Sequence, residues 1–115
     1  VSWRQAELDI IGVDHATLGG RLAQKWKLNK NILAAIAFHH DLSTCPPEYT
    51  RVAGTLAVAN HLVSAVGYPS YDTPQLHLSN AAWVASGLER ATIGPALDGF
   101  CAALNEVQEL MALAA

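Results

Sequence analysis

Apolar residues recur at three- and four-residue intervals along most of this chain. No segment alternates over a useful length, so the pattern predicts helices and no sheet. Trp3 to Ile11 reads as a helix end, with Trp3, Ala6 or Glu7, and Ile10 on one side and Gly12 as its stop. Asp14 is a good N-cap for a second helix, about His15 to Trp26, with His15, Leu18, Gly19, Leu22 and Trp26 on one stripe. Asn29 caps a third helix that runs to His40, with Ile32, Ile36, His39 and His40 on its apolar side. Ser43, Thr44 and Pro46-Pro47 break the chain. Pro47 or Glu48 then opens a long helix to about Val66, with an inner stripe of Val52, Leu56, Ala59, Asn60 and Val63. Gly67 to Pro74 reads as a loop. Ser79 caps a short helix, about Asn80 to Ser86, closed by Gly87. Thr92 caps a final helix, about Ile93 to Leu113, with Leu97, Phe100, Cys101, Leu104, Val107 and Leu110 or Met111 on its stripe. The expected fold is all-α: a compact bundle of about six helices, with residues 1–115 in a single domain.

Composition narrows this picture. Of 115 residues, 51% are hydrophobic and 15% charged, which suits a globular domain with one modest core. So little charge also suggests that some apolar surface is covered by further sequence or by a partner. The net charge of −3 and the pI near 5.9 argue against non-specific nucleic-acid binding. Arg21, Lys25, Lys27 and Lys30 read as solvated positions on helix surfaces. Cys45 and Cys101 lie far apart and form neither a zinc motif nor a disulfide framework, so reduced thiols and a cytoplasmic setting are expected. Val52 to Tyr71 carries no Asp, Glu, Lys or Arg, yet Asn60, His61, Ser64, Gly67 and Pro69 interrupt it. A buried core helix is the better reading than a membrane span. The N-terminus lacks the basic-then-apolar pattern of a secretory leader. The chain opens at Val1-Ser2-Trp3, without methionine and inside a helical pattern, as a piece of a longer protein would.

The residues that carry chemistry are His15, His39, His40 and Asn60. One histidine on an apolar face is usually a core residue with a satisfied hydrogen bond. Three at the inner ends of neighbouring helices suggest a polar site shared between them, and neutral imidazole is also a common metal ligand. Asn60 is the odd member of its stripe. A buried amide left unpaired costs about 1–3 kcal/mol, so it should bond either the histidines or a backbone carbonyl.

Gly12-Val13-Asp14-His15, Gly19, Leu22, the Trp26-Lys27-Leu28 turn and the closing His39-His40 resemble the signature of the HDOD domain, with Glu7 and Gly12 fitting its start. HDOD domains are degenerate relatives of the HD and HD-GYP metal-dependent phosphohydrolases of bacterial signalling proteins. Asn29 stands where the family often has proline. Thr55 to Asn60 resembles the helix that carries the last metal-binding aspartate of active HD enzymes, with Asn60 in the aspartate's place. The resemblance implies the C-terminal portion of an HD-like bundle that lacks the domain's N-terminal part. Such a module is regulatory and non-enzymatic, meets a protein partner or other domains of a longer protein, and uses no cofactor and no metal. The alternative is a fragment of an HD phosphohydrolase whose His-Asp dyad lies upstream of Val1, with His15, His39 and His40 as metal ligands. His40-Asp41 lies at the wrong place to be that dyad. Gly67-Tyr68-Pro69 follows His39-His40 only after a whole helix, and reads as an ordinary turn.

Overall fold

The structure, a computed structural model, describes residues 2–68 and 78–114. These form six α-helices and two 3-10 turns, with no strand among the described residues. The helices are α1 (Trp3–Ile11), α2 (His15–Lys25), α3 (Lys30–Phe38), α4 (Thr50–Ala65), α5 (Asn80–Ser86) and α6 (Ile93–Ala114). The 3-10 turns, Pro47–Tyr49 and Arg90–Thr92, lead into α4 and α6. α3 packs against both α2 and α4, and α4 carries α5.

The caps lie where short polar side chains and glycines call for them. Asp14 accepts from the Thr17 N–H at 2.8 Å and starts α2, and Ser79 accepts from the Ala82 N–H at 3.1 Å and starts α5. Gly12 and Gly87 close α1 and α5 in the left-handed region, at φ 82° and 65°. Thr92 does not cap α6 in the expected way. Its hydroxyl donates to the Glu89 carbonyl, and the helix is entered through the 3-10 turn. Gly67 ends α4 at φ 96°, while residues 69–74 of the expected loop, including Pro69, lie outside the described residues.

The buried faces of α2 and α4 differ from the expected stripes by about one residue. α2 buries Ala16, Gly20 and Ala23, while Leu18, Leu22 and Trp26 stay exposed. α4 buries Ala53, Gly54, Ala57, Val58 and Ser64, with Val52 and Asn60 half-buried and Leu56 and Ala59 exposed. The reason is close approach. A Cβ on Gly19 would sit 2.8 Å from Ile36 Cγ2, and one on Gly20 2.9 Å from Ala37 Cβ. The small residues let α2 lie almost backbone to backbone on α3, and that contact outweighs burial of the larger leucines on a neighbouring face. α6 has no buried residue: Leu97, Phe100 and Leu104 are half-buried, and Cys101, Val107, Leu110 and Met111 are exposed. Phe100 meets Tyr68 edge to face at 5.8 Å.

Gly54 and Gly99 should respond oppositely to alanine. Both are helical, so Ala brings each about 1 kcal/mol of helix propensity. At Gly54 the added methyl would meet the Ala82 carbonyl oxygen and the Ser86 nitrogen, both at 2.9 Å, and backbone atoms must shift. Urea unfolding of Gly54→Ala should show a net loss of about 1–3 kcal/mol. Gly99→Ala, with nothing within 4 Å, should be neutral or gain up to about 1 kcal/mol. Equal effects at the two positions would contradict the packing of α4 on α5.

Candidate functional site: a histidine cluster at the α1, α2 and α3 termini

His15 opens α2, and His39 and His40 follow the last turn of α3. The close approach of the two helices at Gly19 and Gly20 brings these ends together. His40 Nε2 lies 2.8 Å from His15 Nε2, and their rings meet edge to face at 4.7 Å. The His39 and His40 rings lie 4.1 Å apart, and those of His15 and His39 5.7 Å apart. One ring nitrogen from each of the three falls within 4.8 Å of the others. All three residues are half-buried.

α1 supplies the residue that organises the cluster. Glu7 Oε2 accepts from the His15 backbone N–H at 2.9 Å and bonds His15 Nδ1 at 2.7 Å. A carboxylate at Nδ1 fixes the proton on that nitrogen. In the neutral cluster His15 Nε2 then accepts from the Nε2–H of His40. His39 Nδ1 donates to the Ile36 carbonyl at 2.8 Å, inside its own helix end. Sequence reasoning placed Glu7 only as a match to a motif's start. The signal for its role is the helix stop at Gly12, which folds α1 back so that Glu7 meets His15 eight residues on.

Beside Glu7, Arg4 Nε lies 2.6 Å from Asp14 Oδ2, a second tie between α1 and the start of α2. Burial alone would push the Asp14 carboxyl up. Hydrogen bonds from Thr17 and Arg4, with the Arg4 charge, outweigh it and hold Asp14 well below the usual carboxylate range. Asp41 lines the same pocket as Arg4 and Asp14, is exposed, and accepts from the Ser43 N–H at 2.9 Å.

Asn60 reaches the same region from α4. It lines a pocket of about 130 Å³ together with His39, His40, His61, Ala57 and Ser79. Asn60 is half-buried, and His61, which the sequence reading passed over, stands next to it. His61 follows Ala57 by one helical turn, and Ala57 is buried, so a correctly registered stripe would have found it.

Burial pushes His39 down, partly offset by its bond to Ile36, and pushes His40 down to about 4 with help from the neighbouring imidazoles. Both lie below the ~6.5 of an unfolded histidine. The unfolded chain therefore takes up more protons as pH falls. The cluster's contribution to stability is complete above about pH 6.5 and is lost progressively toward pH 4. Urea midpoints measured from pH 8 to pH 5 should fall for the wild type and fall less steeply for His40→Gln. A wild-type midpoint that holds level or rises toward pH 5.5 would contradict a desolvated, uncharged pair.

A family profile for the HDOD domain matches residues 1–42. A protein of Treponema pallidum (strain Nichols), described as uncharacterized, is 44% identical over 48 residues. Those residues are 42% of this chain and 9% of that protein, so the match spans less than a tenth of the relative. No solved structure matches the chain. The residues that match the HDOD profile supply Glu7, Asp14, His15, His39 and His40.

Proposed function

We propose that this chain acts as a non-enzymatic regulatory module of the HDOD type, through contact with a partner protein or with other domains of a longer signalling protein. The observation that supports this reading is the commitment of four of the six ring nitrogens of His15, His39 and His40 to partners inside the fold. Both ring nitrogens of His15 are engaged, by Glu7 and by His40, and His39 Nδ1 is held by the Ile36 carbonyl.

The donor chemistry points the same way. Three imidazoles suit a borderline ion such as zinc. A hydrolytic HD centre is implied to need anionic oxygen as well, which hard divalent ions favour. Asp14 caps α2 and pairs with Arg4, Glu7 is bonded to His15, and Asp41 is occupied with Ser43 at the surface. The pocket beside His39 and His40 offers Asn60, a neutral amide. Among the described residues this donor set departs from the one that the HD resemblance implies, which supports a reading without a catalytic residue or cofactor. No helix among the described residues is long and apolar enough to cross a membrane.

Elemental analysis and hydrolysis of a generic phosphodiester test this reading against an HD phosphohydrolase. The purified chain should hold no stoichiometric iron, manganese or zinc and should not accelerate hydrolysis when manganese is added. One or two metal equivalents that disappear in His39→Ala, together with metal-dependent hydrolysis, would overturn it.

A further inference from the structure

Among the faces that carry large exposed apolar side chains, which include Ile10 and Ile11 of α1, two have opposite charges around them. On α2, Leu18, Leu22 and Trp26 recur every fourth residue and are 49%, 40% and 67% exposed. Gly19 lies against Ile36, so Ile32, one turn earlier on α3 and 49% exposed, extends this face across the second helix. From 15 to 40 the chain has no Asp or Glu, and Arg21, Lys25, Lys27 and Lys30 give it four positive charges. By helical spacing, Arg21 and Lys25 border the α2 stripe on its outer side, and Lys27 and Lys30 close the turn beyond Trp26.

The second face is the distal half of α6. Val107, Leu110 and Met111 share one arc of that helix and are 50%, 66% and 68% exposed. α6 carries Asp98, Glu106 and Glu109 and no Lys or Arg. Glu106 stands at the edge of the arc.

We propose that the two faces are partners in a homodimer: the distal half of α6 from one copy lies on the α2–α3 face of a second, and the contact is exchanged about a two-fold axis. The second copy is the occupant because the apolar stripe bordered by positive charge and the apolar arc bordered by negative charge belong to one sequence. Within one copy they do not cover each other, since Trp26 and Met111 are both two-thirds exposed. Two-fold exchange makes the contact twice per dimer and leaves neither face open. Opposite charges at the rim set orientation and speed encounter, while the apolar residues carry the affinity.

Sedimentation equilibrium of the full 115-residue chain tests this. The mass should rise with concentration from 12.2 kDa toward that of a dimer. Trp26→Glu, the pair Arg21→Glu and Lys25→Glu, and Glu106→Lys should each weaken the dimer by about tenfold or more. All four residues are exposed, and circular dichroism checks that each variant keeps its fold. The decisive arm mixes the two charge-reversed variants. In that heterodimer both contacts regain opposite charges, so association should return to near the wild-type level. A chain that stays monomeric at every concentration overturns the proposal, as does a dimer indifferent to these substitutions. Binding to anionic phospholipid vesicles that is lost in Lys25→Glu, from a monomeric chain, would assign the basic face to a membrane surface and overturn it equally.

Discussion

The close approach of α2 to α3 is the constraint on which the histidine site depends. Gly19 and Gly20 remove the side chains that would hold the two helices apart. Only then can the first residue of α2 touch the residues that follow α3, and His15 meet His40. The same logic runs through the rest of the fold. Six of the buried apolar residues are alanines, at positions 16, 23, 34, 53, 57 and 82, and Gly54 lies against the backbone of α5. Stability here comes from tight contact between helix backbones more than from large interdigitating side chains.

Polar ties complete what close packing begins. α1 has no buried residue, and Arg4–Asp14 and Glu7–His15 join it to α2. Glu7 holds His15 in place, His15 holds His40, and half-burial keeps His40 and His39 from taking up protons readily. Four of the six ring nitrogens of His15, His39 and His40 are bonded within the fold, and these bonds order the junction between α1, α2 and α3.

Much of this was legible in the sequence. The caps Asp14, Asn29 and Ser79 and the stops Gly12 and Gly87 act locally, so local residue chemistry locates them well. The placement of His15, His39 and His40 near the ends of adjoining helices followed from the same boundaries. The facing of α2 and α4 did not. Periodicity follows the largest apolar residues, and in α2 these are Leu18, Leu22 and Trp26, which the structure leaves exposed. The buried face is marked by small residues, whose value lies in what the opposing helix can do against them, and that is not a local property. Asn60 illustrates the consequence: the stripe assigned to it shifted, yet it still lines the pocket beside His39 and His40 because it sits at the edge of the buried arc.

His40 is an uncharged, desolvated member of an internal hydrogen-bond chain. Nitrogen-15 NMR of the imidazoles as a function of pH tests it most directly, because it reports tautomer and charge for each ring separately. His40 should remain neutral at pH 5.5 and titrate well below the ~6.5 of a free histidine, with the His15 proton on Nδ1 facing Glu7 in the neutral cluster. A His40 that charges near pH 6.5, or a neutral His15 with its proton on Nε2, would contradict it.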